Sequence, residues 1–233
     1  MRRLSIVSAY YENAGMLRAQ VENLNNLPPG MAEQITLIVV DDCSPTAPAV
    51  VEPGQRFAVE VYRLAVDVAW NQDACRNLGM RHVKSEWVLL TDMDHVPSER
   101  LIDRLLTMPL DTSRFYRMAR VSAPDASAYK PHPNSYVLTK SLYWRVGGYD
   151  ERWAGAYGTD GNFRRGLDKL SSEVFLKEPL MRFPREVIPD ASTTQYARQS
   201  KENEELKRRI KHEIAASGIE GPVTGRFEWA RVQ

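Results

Sequence analysis

Cysteine is nearly absent: Cys43 and Cys75 are the only two in 233 residues, far apart and in no metal-binding or redox spacing. That excludes a disulfide framework, and two unpaired thiols used for packing fit a reducing compartment. Charge of one sign is missing as well. Lysine and arginine total 31 against 30 aspartates and glutamates, a formal net charge of +1, so no global field draws the chain to nucleic acid or to an acidic membrane surface. Long apolar runs are missing too. The N-terminal stretch soon meets Tyr10, Tyr11 and Glu12, too early for a signal peptide or a membrane span, and a cytoplasmic protein is expected. What is present is an ordinary globular composition, 43% hydrophobic and 26% charged, enough for one substantial core or two fused halves.

Periodicity organises the chain. Leu4 to Ser8 reads as a strand, and Leu17, Val21 and Leu24 repeat at helical spacing until Pro28-Pro29-Gly30 stops them. Ile35 to Val40 and Val59 to Leu64 read as further strands, and Asn71 is placed to cap a helix through Ala74, Leu78 and Val83. Trp87 to Leu90 is then a buried strand, and Pro97-Ser98 opens a helix with Leu101, Ile102, Leu105 and Leu106 inward. Alternating strands and helices imply an α/β fold on a mostly parallel central sheet flanked by helices. From about Phe115 the rhythm changes to strands at Phe115 to Val121 and Tyr136 to Thr139, a mixed half. Last comes Arg198 to Ala216, a charged helix with a thin stripe of Leu206, Ile210 and Ile214. The divisions expected are 1–114, 115–190 and a helical tail, 191–233.

The apolar run from Trp87 ends at Thr91-Asp92-Met93-Asp94, two carboxylates one residue apart at the carboxyl edge of a sheet, where open α/β sheets bind ligands. Mg²⁺ or Mn²⁺ takes one or two carboxylates plus substrate phosphates there. Alone, the pair reads more readily as a solvated acidic turn. Two other strand ends carry polar residues toward the same edge, Tyr10-Tyr11 and Asp41-Asp42. Asp42 could accept from the N3 hydrogen of uracil and Tyr11 could stack on the base, although Asp41 to Pro45 is equally a plain turn. Arg76 is a cation suited to a diphosphate, or else a surface ion-pair partner. Residues 146–165 are dense in glycine and aromatics. Trp153 and Tyr157 offer flat faces for a sugar ring, and Asp160 stands at a helix start, as a catalytic group or merely a cap.

Taken together, these motifs resemble nucleotide-sugar glycosyltransferases of the GT-A fold, family 2-like, with an acceptor segment similar to the galactosyltransferase type. Val40-Asp41-Asp42-Cys43-Ser44, Arg76-Asn77-Leu78-Gly79, Asp92-Met93-Asp94 with Pro97, and Gly147-Gly148-Tyr149-Asp150-Glu151 followed by Gly155 to Asp160 fall in the family's order across residues 4 to about 170. The resemblance implies a Rossmann-like donor half and an acceptor half of one GT-A domain. It implies donor contacts from Tyr10, Tyr11, Asp42, Arg76 and Asp92, and acceptor contacts from Trp153, Tyr157, Gly158 and Thr159. Asp94, with Asp92, would hold Mn²⁺ or Mg²⁺, and Asp160 would be the general base of an inverting transfer from a UDP-sugar. Two departures stand out. Thr159 replaces the acidic residue usual before the base, and no histidine lies in 187–201 where relatives often supply a metal ligand; His95 or His212 would have to serve instead.

The acceptor implied is a carbohydrate, glycolipid, peptide or modified nucleic acid. Two rivals are a sugar-phosphate nucleotidyltransferase, against which the absence of a glycine-rich loop at Ser8 to Asn13 weighs, and a non-catalytic nucleotide- or carbohydrate-binding module on the same fold.

Overall fold

The computed structural model describes residues 3–192 and 200–233. Four strands form the parallel part of the sheet: β1 (Leu4–Tyr10), β2 (Ile35–Asp41), β3 (Ala58–Leu64) and β4 (Trp87–Asp92), in the order β3-β2-β1-β4. Their β-branched, almost wholly buried sequences belong to strands covered on both faces. Register is tight at the end that matters. Tyr10 lies opposite Asp41 and Ala9 opposite Asp92, so three strand ends finish level along one edge.

Helices close both faces. α1 (Ala14–Asn25), α2 (Pro29–Ala32) and α4 (Glu99–Thr107) share a core with Ile6, Leu37, Val39 and Leu89, while α3 (Gln72–His82), α5 (Lys140–Val146) and α6 (Gly161–Leu170) pack on Val7, Ile38, Val40 and Leu90. α4 forms as expected. Ser98 accepts from the Leu101 N–H at 3.2 Å, and Leu101, Ile102, Leu105 and Leu106 are its buried face. α3 begins where expected but without a side-chain cap, because Asn71 is fully buried and donates its backbone N–H to Asp42. Gly79 lets α3 ride on the sheet: a Cβ there would stand 2.5 Å from Val7.

Beyond Phe115 the sheet continues as β8 (Tyr136–Thr139), β6 (Arg114–Ser122), β9 (Ser172–Arg182) and the short β5 (His95–Pro97), with β7 (Ala128–Tyr129) beside β6. β8 runs antiparallel to β4 and β6, β9 parallel to β6, and β5 antiparallel to β9. One ten-stranded sheet therefore passes through both halves among the described residues. β9 escapes a periodicity reading because its inward residues are interrupted by Lys177, Glu178 and Pro179 around a register shift.

The tail is more than a helix. α7 covers Lys201–Ala216, while residue 198, where the helix was expected to start, lies outside the described residues. Its inner edge is Asn203 and Ile210, with Leu206 and Ile214 half-buried. After α7 the chain crosses back. Buried Glu151 accepts from Gly225 N–H at 2.8 Å, Arg226 N–H at 2.6 Å and Asn77 Nδ2 at 2.9 Å, and β10 (Trp229–Arg231) pairs antiparallel with β3. No helix among the described residues is long and apolar enough to cross a membrane.

Candidate active site

The level strand ends open onto a cleft of about 930 Å³ lined by Tyr11, Asp42, Asp92, Asp94, His132 and Tyr157, among others. Its size suits a small-molecule ligand. The two neighbouring aspartates after β2 divide their work. Asp41 is committed to the turn: it accepts from Ser44 N–H at 2.8 Å and Ala49 N–H at 3.0 Å and pairs with Arg63 at 3.1 Å. Asp42 faces the cleft with one bond, from Asn71 N–H at 3.1 Å, and its Oδ1 has no partner. Burial pushes the Asp42 carboxyl up to about 7, with Asp67 and Asp41 adding to the effect against the Asn71 hydrogen bond.

Asp92 and Asp94 stand at the centre. Asp92 is held by Gln72 and by the Arg76 guanidinium through its Oδ1, and by His132 Nε2 at 3.3 Å through its Oδ2. His132 Nδ1 meets Ser135 Oγ at 2.8 Å, which leaves the Nε2 hydrogen for Asp92. Burial, reinforced by His95 and Arg76, pulls the His132 imidazole well below its usual range, so it is uncharged at neutral pH. Asp94 Oδ1 meets His95 Nδ1 at 2.6 Å, and its Oδ2 has Arg182 at 3.9 Å.

Asp160, at the start of α6, accepts from Asn134 Nδ2 at 2.8 Å. The Asn134 carbonyl accepts from Arg76 at 2.8 Å, its Oδ1 accepts from Tyr149 O–H at 2.5 Å, and Arg76 pairs with Asp92. A continuous chain, Asp160 to Asn134 to Arg76 to Asp92, thus ties the helix-start carboxylate to the acidic pair, and its charge is felt at both Arg76 and Asp92. Buried Tyr143 also donates to Asn77, whose Oδ1 receives Tyr149 N–H and would lie 2.7 Å from a Cβ at Gly148, a residue with φ +74°. The glycine-rich segment is therefore shaped by backbone geometry around Asn77 and Tyr149.

Several expected contacts need correction. Arg76 does not reach a diphosphate: it is fully buried, and burial works against its charge, but Tyr149, Asp92 and Asp160 outweigh that and hold its proton more tightly than usual. It braces Asp92 from behind. Tyr10 also borders the cleft but is 1% exposed and donates its hydroxyl to the Ala47 carbonyl at 2.5 Å, so its side chain is held in the core, while Tyr11 is half-buried at the cleft. Trp153 closes a 3-10 turn and is not part of the cleft wall; Trp70 stands there in its place, edge-to-face on Tyr157 with centroids 4.4 Å apart. Thr159 is 8% exposed, so its side chain is largely withdrawn, whereas Gly158, at φ +82°, is exposed. His212 is exposed on α7 and away from the cleft wall. His95 has both ring nitrogens engaged, Nδ1 with Asp94 and Nε2 with Arg120 at 3.4 Å, so it orients Asp94 instead of offering a lone pair to a metal.

Trp70, His132, Asn134, Arg120 and Arg182 went unnominated by sequence. For Trp70 a signal existed, since it immediately precedes the helix start at Asn71; it sits at φ +57°, a conformation that bulky residues rarely adopt.

An acidic edge where strand ends meet, joined through buried side chains to a carboxylate at a helix start, is the layout of a GT-A glycosyltransferase. The chain belongs to glycosyl transferase family 2, whose profile matches residues 5–169. It is a glycosyltransferase. No curated protein matches it by sequence. Among solved structures it is similar to TarS 1-349 from S. aureus in complex with UDP-GlcNAc, at TM-score 0.63 and 14% identity over 94% of this chain and 68% of that one. It is also similar to the mannosyltransferase PcManGT from Pyrobaculum calidifontis in complex with GDP-Man and Mn²⁺, at TM-score 0.53 and 15% identity over 77% of this chain and 56% of that one. Against the longer TarS structure it spans 40% of the chain.

Proposed function

We propose that the protein is a metal-dependent, inverting transferase that moves a sugar from a UDP-sugar to an acceptor hydroxyl, with Asp160 as general base. One observation carries this reading: the hydrogen-bonded chain from Asp160 through the Asn134 side chain and backbone carbonyl and Arg76 to Asp92 links a helix-start carboxylate to the acidic pair. The solved relatives support the donor class, since TarS structures hold UDP-GlcNAc or UDP and PcManGT holds GDP-Man.

Each residue's part follows from its surroundings. Asp42, with an unpartnered oxygen and one neighbour from Asn71, accepts from the base N3 hydrogen, and Tyr11 flanks the ring. Asp92, braced by Arg76 and His132, meets the ribose. Asp94 keeps one oxygen loosely held at 3.9 Å, which fits a hard cation completed by phosphate and water, although no cluster of three or more ligating side chains occurs among the described residues. A Mn²⁺ or Mg²⁺ ion there would supply charge neutralisation for the departing diphosphate. PcManGT, with Mn²⁺ bound, supports that choice.

Asn134 orients the Asp160 carboxylate toward the acceptor. The acceptor proton passes to Asp160 as the acceptor oxygen bonds to the anomeric carbon and the bond to the diphosphate oxygen breaks. A single displacement inverts the centre. Trp70 and Tyr157 form the aromatic wall for the acceptor, a carbohydrate, glycolipid headgroup, peptide or modified DNA base.

Donor hydrolysis over a panel of UDP-, GDP- and TDP-sugars, with Mn²⁺ or with chelator, tests the reading. We expect metal-dependent release of UDP. Failure of every nucleotide sugar to bind in Mn²⁺ overturns it, and binding without turnover under any acceptor points to a non-catalytic module.

A further inference from the structure

The cleft wall beside Asp94 carries two arginines that the reading above leaves unused. Arg120 on β6 and Arg182 on β9 lie on adjacent parallel strands, with Arg120 beside Leu180 and Ser122 beside Arg182, so the two side chains are diagonal neighbours on one face. Both line the cleft. One aromatic ring serves both: their guanidinium carbons lie 5.2 and 5.4 Å from the centre of Tyr129, which pairs with Arg120 from β7.

Neither cation has a carboxylate within hydrogen-bonding distance among the described residues. Arg182 has Asp94 at 3.9 Å, and Arg120 reaches only His95 Nε2, at 3.4 Å, with its Nε buried and unpartnered. Two like charges side by side in a cleft repel each other, and burial together with Arg182 weakens the hold of Arg120 on its proton. Asp94 and Asp92 offset this only in part, and Asp92 is itself paired with buried Arg76. An arrangement that is unfavourable when empty becomes favourable around an anion.

We propose that Arg120 and Arg182 form an anion site for the donor's diphosphate, so that these two cleft-lining arginines, and not buried Arg76, grip the leaving group. The inference rests on the donor reading of the same cleft and assigns its diphosphate contact. Guanidiniums suit it because each presents a planar fork to phosphate oxygens. Their charge is permanent, so part of the diphosphate affinity persists without a divalent ion.

Inorganic pyrophosphate, which carries neither base nor sugar, isolates the site. Titration calorimetry of the full chain with pyrophosphate in excess chelator is expected to show binding that weakens roughly tenfold or more in Arg182→Ala and in Arg120→Ala, with Arg120→Lys in between. Arg182 is 36% exposed, so its variant tests the site even if Arg120→Ala fails to fold. Pyrophosphate and UDP affinities within twofold of the unaltered protein in Arg182→Ala overturn the proposal, and so does a loss confined to a UDP-uronic acid, which would make the pair a reader of the sugar's carboxylate. The two readings fail separately. Arginine-dependent pyrophosphate binding without any nucleotide-sugar binding breaks the transferase reading alone, whereas UDP-sugar binding indifferent to both arginines breaks the anion site alone.

Discussion

The two walls of the cleft are built by opposite means. The acidic wall consists of residues at the ends of parallel strands, where a buried apolar run stops and the next residue must be polar. The basic wall consists of Arg120 and Arg182, two positions in a mixed sheet, 62 residues apart by their numbering and side by side only through the pairing of β6 with β9. Strand ends announce themselves locally; strand neighbours do not. Chemistry placed at a strand end is therefore visible as a motif, and chemistry placed across a ladder is visible only once the ladder exists.

Experiments can break or sharpen this contrast. The largest effect is expected at Asp160, tied to the acidic wall through Asn134 and Arg76: Asp160→Asn should lower transfer by about a thousandfold and leave donor affinity within twofold, measured by product formation and by calorimetry with UDP. Equal loss of donor affinity would make Asp160 a structural cap. Next comes Asp94→Ala, expected to weaken Mn²⁺-dependent UDP-sugar binding by roughly 10- to 100-fold, with little change in the binding seen in chelator. A transfer rate indifferent to chelator in the unaltered protein would shift the leaving-group role wholly to the basic wall. The arginine variants follow, at roughly tenfold each.

Smallest is a pH effect at the base end. Asp42 titrates near 7 in the folded protein, and its protonated form cannot accept the N3 hydrogen, so UDP affinity should fall about tenfold from pH 8 to pH 6. Asp42→Asn should abolish that dependence, and a flat profile in the unaltered protein removes Asp42 from base recognition. The sign for stability is the reverse of a paired carboxylate. Because the folded value lies above the unfolded one, near 4, the folded state holds the extra proton between them, and Asp42 lowers stability as pH rises from about 4 to about 7. Thermal midpoints of the unaltered protein and Asp42→Asn should converge below that range.

Legibility varied by residue for identifiable reasons. Asp42, Asp92, Asp94 and Asp160 stand out by position, each ending an apolar run or starting a helix, and the resemblance to family 2 is what assigns them roles. Arg76 was nominated for its charge and misplaced, since nothing local shows that its guanidinium is swallowed by Asn134, Tyr149 and Asp92. Trp153 and Trp70 illustrate the same limit: both are aromatic in turn-rich segments, and the cleft takes the second because Gly155 N–H bonds the Trp70 carbonyl at 3.2 Å and draws the two loops together. Tyr157 is held there by Asn203 from α7, which accepts from its N–H at 2.9 Å. A charged tail helix with three apolar residues gives no hint of that contact.

By itself the chain determined the four parallel strands and three main helices of its first half, though not the short helix Pro29–Ala32 or the strand His95–Pro97, that the sheet edge is acidic, and that four motifs occur in the order of family 2. Those properties depend on periodicity and on residues close in sequence, which is what hydrophobic burial and turn chemistry encode. Only the tertiary structure decided that Asp41 is committed to its turn, which arginine is buried and which two line the cleft, and which histidine meets Asp92. Each of those outcomes is set by hydrogen-bond partners and desolvation supplied from distant segments, and no local pattern records them.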